Sequence, residues 1–286
     1  YWRDARRCGS IRRERAMIRA YVAELIGTFL LVFFGVGVVH AAVLTGAQSG
    51  LWHVAVVWAV GVSLAIYASA AHSGAHLNPA LTVSFVVFRR FPLRRAVPYV
   101  VAQVLGAFLA AAVLYVLFGG VLAHFEATHG LVRGAPGSEL AAMVYGEYFP
   151  NPGIAKELSW APSVVSLPTA MLAEAIGTGL LAFFVFALTH PRNAAAPGTK
   201  LAPVFIGLTV AAIISILSPL TQAGLNPARD FGPRLFAWFA GWGRIAIPGP
   251  RGGFFAVYIL APILGALVGS AVFQFGLVPK LKRTDT

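Results

Sequence analysis

The triplet Asn-Pro-Ala occurs twice in this chain, each time within apolar sequence. Asparagine is a preferred N-cap residue, and proline is favoured in the first helical turn because it has no N–H that needs a partner. Each triplet therefore predicts the start of a helix, and its side-chain amide can donate a hydrogen bond to a hydroxyl group or a water molecule. The residues are Asn78, Pro79 and Ala80 in the first triplet, and Asn226, Pro227 and Ala228 in the second.

The apolar stretches that begin at these triplets, residues 78–88 and 226–240, are too short to cross a membrane, because a spanning helix needs about 20 residues. We interpret them as half-helices that enter the membrane from opposite faces and meet by their N-termini near its centre. A helix N-terminus carries partial positive charge, so the meeting point would repel cations and admit neutral solutes.

The composition of the chain is typical of a helical membrane protein. Of the 286 residues, 58% are hydrophobic and 11% are charged, and the mean hydropathy is +0.77. Soluble domains carry about 25% charged residues, so a soluble fold is excluded. We predict an all-α membrane protein with six transmembrane helices and the two half-helices. The predicted spans are residues 18–43, 52–71, 97–118, 168–189, 201–219 and 254–277.

The net charge of +12 could suggest a nucleic-acid partner, but the distribution of the basic residues argues against one. Most of them lie in residues 1–19, 89–95, 192–200 and 280–283. With six spans, these segments fall on one side of the membrane, which the positive-inside rule assigns to the cytoplasm. We therefore expect a multi-pass protein of the plasma (inner) membrane with both termini cytoplasmic. The single cysteine excludes an intrachain disulfide.

The chain contains an internal repeat. Residues 20–34 (AYVAELIGTFLLVFF) match residues 170–184 (AMLAEAIGTGLLAFF), and the two triplets recur at nearly the same spacing. Each half holds three spans, so the second half must enter the membrane in the opposite orientation. Inverted repeats of this kind place a site at the membrane midplane, where the halves meet.

These boundaries predict one channel domain over residues 17–280. Its repeats cover about 17–118 and 168–277, and a polar extracellular loop joins them over residues 119–167. Residues 1–16 are interpreted as a basic, disordered N-terminal extension, and residues 281–286 as a cytoplasmic tail.

Non-helical residues precede each asparagine, and at membrane depth such backbone is tolerated where it is buried in protein or lines a wet cavity. Their carbonyl groups would form a series of acceptors along a pore, which we call the carbonyl ladder. Glu24 and Glu174 are charged residues inside predicted spans. Such carboxylates are costly, and we favour hydrogen bonding to the loop N–H groups over a proton relay. The ladder residues are Gly74, Ala75, His76, Gln222, Ala223 and Gly224.

Several segments together identify a family. They are SGAHLNPA (73–80), the two glutamate segments, FEATHGLVRG (125–134), YFPNP (148–152) and PLTQAGLNPARDFGPRLFAWFAGWG (219–243). From Met17 to about Lys280 the chain resembles the major intrinsic proteins, the aquaporin family, and within them the glycerol-facilitator branch. The resemblance implies the aquaporin fold and a homotetramer in which each protomer has its own pore.

Arg229 follows the second triplet, where its guanidinium could grip hydroxyl groups and repel cations. The resemblance assigns it to the selectivity filter with Trp52, Ile214 and Ala223, although position alone would make Trp52 an interfacial tryptophan. The set Trp-Ile-Ala-Arg resembles the nodulin-26-like branch instead. Asp230 and Arg234 match the glycerol branch.

We therefore predict a passive channel, not an enzyme, for small uncharged solutes: glycerol, water, polyols and urea. It would need no cofactor or metal, and its partners would be these solutes, the lipid bilayer and further copies of itself. One alternative is a channel for neutral arsenite, antimonite or boric acid. Others are a proton-coupled transporter that uses Glu24 or Glu174, and a closed-pore adhesion tetramer.

Overall fold

The computed structural model describes residues 2–48 and 50–278, with side chains from Glu14 onward. Within this range the chain is helical, and six helices are long and apolar enough to span a membrane. The helices are α1 (Trp2–Thr45), α2 (Leu51–Ser73), α3 (Pro79–Phe88), α4 (Leu93–Thr128), α5 (Glu139–Ala142), α6 (Pro152–Glu157), α7 (Leu167–Leu188), α8 (Ala202–Thr221), α9 (Pro227–Ala237) and α10 (Ala261–Ala271).

Short segments of π- and 3-10 helix complete the fold. The segments Phe255–Leu260 and Val272–Leu277 extend α10 at both ends, so that this span covers Phe255–Leu277. Trp238–Trp242 and Gly243–Ile245 follow α9, and Pro162–Val164 precedes α7.

The internal repeat of the sequence is also a repeat of packing. In the first half α1 packs against α2 and α4, and in the second half α7 packs against α8 and α10. The halves are joined by α2 against α8 and by the half-helices, since α3 packs against α10 and α9 packs against α4. Each half-helix is thus held by the last span of the opposite repeat.

Glycines allow the closest helix contacts in both halves. A Cβ atom at Gly106 of α4 would lie 2.2 Å from the carbonyl oxygen of Leu25, and one at Gly265 would lie 2.0 Å from that of Ala175. These pairs occupy equivalent positions in the two repeats. Small residues permit this backbone approach between helices in a bilayer, where close packing drives their association.

The structure changes two of the predicted boundaries. Helix α4 continues to Thr128, so the long connection between the repeats begins ten residues later than predicted. Gly119 and Gly120 suggest a helix end, but no proline lies between them and Thr128, and this stretch keeps helix-forming residues.

The N-terminal extension also differs from the prediction. The backbone of α1 begins at Trp2, where the sequence analysis predicts disorder. Arginine and alanine favour a helix, and no proline interrupts residues 2–16. The predicted tail at 281–286 lies outside the described residues.

Candidate functional site

The residues before each half-helix form two re-entrant loops with matching backbone geometry. Ala75 and Leu77 have φ values of 50° and 49°, and Ala223 and Leu225 have φ values of 57° and 56°. Residues other than glycine rarely adopt this left-handed conformation, so four such residues at equivalent positions are costly. The loops therefore need support from the surrounding helices.

Two buried carboxylates provide that support. Glu24 accepts hydrogen bonds from the backbone N–H groups of His76 (2.9 Å) and Leu77 (2.8 Å), and from the amide of Gln103 (2.7 Å). Two consecutive N–H groups of the first loop thereby have a buried acceptor. The second carboxylate repeats the arrangement: Glu174 accepts from Gly224 (2.9 Å), Leu225 (2.8 Å) and the hydroxyl of Thr221 (2.6 Å).

The two asparagines cap their own helices and also connect the repeats. The Oδ1 atom of Asn78 accepts from the N–H of Ala80 at 2.8 Å, and that of Asn226 accepts from Ala228 at 3.0 Å. The Nδ2 atom of Asn78 donates to the Leu225 carbonyl at 2.9 Å, and that of Asn226 donates to the Leu77 carbonyl at 2.8 Å. One N–H of each amide is used in this way, and the other can face a solute.

One cavity of about 270 Å³ passes both asparagines. Toward one end it is lined by Arg89 and Thr189, and toward the other by Arg229 and Trp58. Most of the wall between them is apolar, and the polar part consists of the two re-entrant loops. The loop residues that line the cavity are Gly74, Ala75, His76, Leu77, Asn78, Ala223, Gly224, Leu225 and Asn226.

Gln222 is the exception among the predicted ladder residues. It is not part of this lining, and its side chain faces the connection between the repeats instead. There it accepts a hydrogen bond from the N–H of Tyr148 at 2.9 Å and donates to the carbonyl of Met143 at 3.1 Å. Gln222 has φ +61°, which turns its backbone at the start of the loop.

Arg229 is buried at one end of the cavity, where three groups fix its guanidinium. Its Nη2 atom lies 2.6 Å from a carboxylate oxygen of Glu147, and its Nη1 atom makes a long contact of 3.5 Å with the Tyr145 carbonyl. The guanidinium carbon also lies 4.6 Å from the ring centroid of Trp58, within the range of a cation–π interaction.

Trp52, which was predicted to be a filter residue, lies outside the cavity, and Trp58 on the same helix lines it instead. The Trp52 side chain is 57% exposed at the beginning of α2, whereas Trp58 is buried. The ring of Trp58 packs on Gly35 of α1, where a Cβ atom would lie 2.2 Å away. Ile214 and Ala223 do line the cavity beside Arg229.

Asp230 and Arg234 lie behind the cavity wall. Their side chains form a buried ion pair of 2.9 Å, and Arg234 also donates to the carbonyl of Ala246 at 2.7 Å. These contacts attach α9 to the segments that surround it. Among the described residues, no three His, Cys, Asp or Glu side chains are grouped so that they could hold a metal ion.

Sequence reasoning missed Glu147, which lies in the connection between the repeats and reaches Arg229. No periodicity places a loop carboxylate against a residue more than 80 positions away. The available signal was the burial of Arg229 itself, because a buried guanidinium requires an acceptor.

Comparison with known proteins agrees with this geometry. Residues 11–273 match the sequence model of the family described as Major intrinsic protein. The chain belongs to the major intrinsic protein family. The propanediol uptake facilitator PduF of Citrobacter freundii is 43% identical over 255 residues, which are 89% of this chain and 90% of that protein. The glycerol uptake facilitator protein of Escherichia coli K12 is 43% identical over 254 residues, covering 88% and 86%.

The fold of a major intrinsic protein also matches in three dimensions. The X-ray structure of the aquaglyceroporin from Plasmodium falciparum superposes with a TM-score of 0.77 at 26% identity, covering 93% of this chain and 98% of that one. The predicted aquaporin fold, with six spanning helices and two half-helices, is thereby confirmed, as is the predicted family.

Proposed function

We propose that the chain is a passive channel for glycerol and other small uncharged solutes. The observation that carries the proposal is the cavity that passes both asparagines and ends at Arg229 and Trp58. A polyol has hydroxyl groups along a carbon chain. The loop carbonyls, asparagine amides and guanidinium can bond its hydroxyls, while the apolar wall accepts its carbon atoms. No bond is made or broken, so the protein is not an enzyme.

The same geometry supports the exclusion of cations and protons. Both half-helices start at the centre of the cavity, capped by Asn78 and Asn226, and their N-termini make the potential there positive. The amides also donate, which orients a water molecule with its oxygen toward them. A cation must pass this region without its hydration shell, whereas a neutral solute meets no such barrier.

Proton coupling through Glu24 or Glu174 is disfavoured by where they lie. Neither residue is part of the cavity lining, and each carboxylate accepts three hydrogen bonds from the loops and their neighbours. A proton-relay group would have to exchange protons with the conduction path. The carboxylates of Glu24 and Glu174 are instead hydrogen-bonded to the re-entrant loops and support them.

The proposal is tested by stopped-flow light scattering on proteoliposomes in glycerol and sucrose gradients. We expect fast glycerol entry that is unchanged by an uncoupler and does not saturate at low concentration, with sucrose excluded. Glycerol entry at the rate of empty liposomes would contradict the proposal. Arsenite and boric acid, tested in the same vesicles, address the metalloid alternative.

Replacing Trp58 with alanine is expected to change glycerol permeability by about fivefold, whereas the same change at Trp52 leaves it unchanged. The Trp58 ring contacts Arg229, and the loss of a cation–π interaction of about 1 kcal/mol corresponds to that factor. Trp52 is the matched control, since it is an exposed tryptophan on the same helix. Equal effects of the two substitutions on the glycerol rate would remove Trp58 from the filter.

Sidedness and assembly belong to the same proposal. The basic segments support cytoplasmic termini in the plasma membrane, which would place residues 129–166 and the Arg229 end of the cavity outside. We also expect a homotetramer with one pore in each protomer. Labelling of single cysteines at the two ends in intact cells tests the orientation, and native mass spectrometry in detergent tests the assembly.

A further inference from the structure

Glu147 is a buried residue of the connection between the repeats, and its carboxylate contacts the pore-lining residue Arg229. Its Oε1 atom lies 2.6 Å from Nη2 of Arg229, and the two side chains are 1% and 6% exposed. Arg229 lines the cavity and Glu147 does not, so the carboxylate approaches the guanidinium from behind. A buried guanidinium without such a partner would carry an uncompensated charge.

The backbone around Glu147 is fixed by α9 and the second re-entrant loop. The N–H of Glu147 donates to Oδ1 of Asp230 at 2.7 Å, and its carbonyl accepts a hydrogen bond from Arg234. The next N–H, that of Tyr148, donates to the side chain of Gln222. The residues flanking Arg229 therefore determine where the Glu147 carboxylate can lie.

The charges in this region do not balance. Three buried carboxyl groups, those of Glu147, Asp230 and Glu174, surround two buried guanidinium groups, those of Arg229 and Arg234. Asp230 is already paired with Arg234, and Glu174 is bonded to the loop. Glu147 is thus the carboxyl group that balances Arg229.

Within the described residues, both carboxylate oxygens of Glu147 are buried and neither accepts a hydrogen bond. Oε1 forms the ion pair with Arg229, and the described residues give Oε2 no ion pair. Oε2 lies beside the α-carbon of Gly224, where an added Cβ atom would be 3.2 Å from it and 3.4 Å from Oε2 of Glu174. A proton on the Glu147 carboxyl would neutralise the excess negative charge of the three carboxyl groups over the two guanidinium groups. It would also break the ion pair with Arg229.

We propose that Glu147 is a positioning residue of the pore, whose ionised carboxylate holds the Arg229 guanidinium against the wall so that permeability depends on its ionisation. The proposal rests on the proposed channel function. With Glu147 ionised, the Arg229 guanidinium is held at the cavity wall, where it can bond solute hydroxyls without entering the path, and its charge is balanced. With Glu147 neutral, the guanidinium is free to turn into the path, where it narrows the pore and binds solute hydroxyls more strongly.

The first test compares Glu147→Gln with wild type in glycerol uptake by proteoliposomes. The glutamine has nearly the same shape but no charge. We expect glycerol permeability to fall about tenfold, because the buried guanidinium of Arg229 loses the charge that balances and positions it. The matched control is Glu126→Gln, which removes the 2.7 Å ion pair with Arg133, and neither of these residues lines the cavity. A permeability of Glu147→Gln within twofold of wild type would overturn the proposal.

The second test measures glycerol permeability as a function of pH. A purely structural role of Glu147 would not make the permeability depend on pH. Burial raises the pKa of Glu147 well above the ordinary carboxyl value, and Arg229 only partly offsets this. Permeability of the wild type should therefore decrease as the pH falls, with a midpoint above the usual carboxyl range. The other ionisable groups that face Glu147 are Asp230 and Arg234 on α9, Glu174 on α7 and Tyr258 in the last span.

The variants assign the pH effect to one residue. Glu147→Gln should stay at its low rate at every pH, and Glu147→Asp should regain a pH-dependent rate because the charge is restored. A profile shared by wild type and Glu147→Gln would assign the titration to another group and sink the proposal. Failure of the wild type to conduct at any pH would instead count against the channel function itself.

Discussion

The substitution Glu174→Ala is expected to destabilise the protein so strongly that little folded protein is recovered from the membrane. The Glu174 carboxylate accepts three hydrogen bonds of 2.6–2.9 Å, two of them from backbone N–H groups of a strained loop. Hydrogen bonds to a charged group are worth about 1.5–3 kcal/mol each, so their loss costs about 4 kcal/mol or more. That is a large share of the usual free energy of unfolding of a native protein, which is about 5–15 kcal/mol.

The loss would be larger than the sum of contacts suggests. The donors left behind are the N–H groups of Gly224 and Leu225, and no water from the bilayer can replace the carboxylate. Leu225 is in the left-handed conformation, which persists only while its surroundings enforce it. The loop would then relax and Asn226 would lose its position at the centre of the cavity.

Fluorescence-detected gel filtration of detergent extracts measures this outcome. We expect Glu174→Ala to lose the monodisperse peak, and Glu174→Gln to keep part of it because the amide retains one acceptor oxygen. Glu24→Ala should behave like Glu174→Ala, since Glu24 supports the first loop in the same way. Wild-type yield and melting temperature for both alanine variants would contradict the supporting role of the two carboxylates.

Alanine at Gly269 is the second substitution with a large expected effect. A Cβ atom there would lie 1.9 Å from the carbonyl oxygen of Gly179 and 2.6 Å from its carbonyl carbon. These are backbone atoms of α7, so no side chain can move aside and the two helices must separate. Overpacking of this kind costs about 1–3 kcal/mol, and we expect the upper end.

Gly120→Ala is the matched control for this change. Gly120 also lies inside a helix, α4, but a Cβ atom at this position would meet nothing within 4 Å. Alanine is a better helix former than glycine, so Gly120→Ala should be neutral or raise stability by about 0.5–1 kcal/mol. Thermal unfolding in detergent, followed by tryptophan fluorescence, separates the two. Equal melting temperatures would show that α7 and α10 are not in tight backbone contact.

Much of this architecture could be predicted because the sequence states it twice. The repeat around Glu24 and Glu174, the two triplets and the lengths of the apolar runs together predict inverted halves with paired half-helices. These features are local or symmetric, and a period or a spacing is enough to detect them. The ends of the spans follow from packing as well as composition, and α4 continues ten residues beyond its predicted end at 118.

The proposed filter could be predicted only in part. Arg229 and Ala223 lie within three residues of Asn226, so the motif itself positions them. Trp58 is not close to a motif that would fix its position. Trp52 lies six residues before it on the same helix, and the sequence alone does not show which of the two lines the pore. Glu147 belongs to a connection whose path depends on Asp230, Arg234 and Gln222. A contact made across that distance is decided by tertiary packing and leaves no local pattern.

The crossed hydrogen bonds between the asparagines and the opposite loops also constrain how the protein is made. Asn78 donates to the carbonyl of Leu225, and α3 packs against α10. At ordinary rates of synthesis, about 5–20 residues per second, residue 225 leaves the ribosome roughly 7–30 seconds after Asn78. During that interval the first half-helix lacks the Leu225 acceptor and its contact with α10, although it can already pack against α4 of its own repeat. The nascent N-terminal half must therefore remain in the membrane without these contacts until the second half has been synthesised and packs against it.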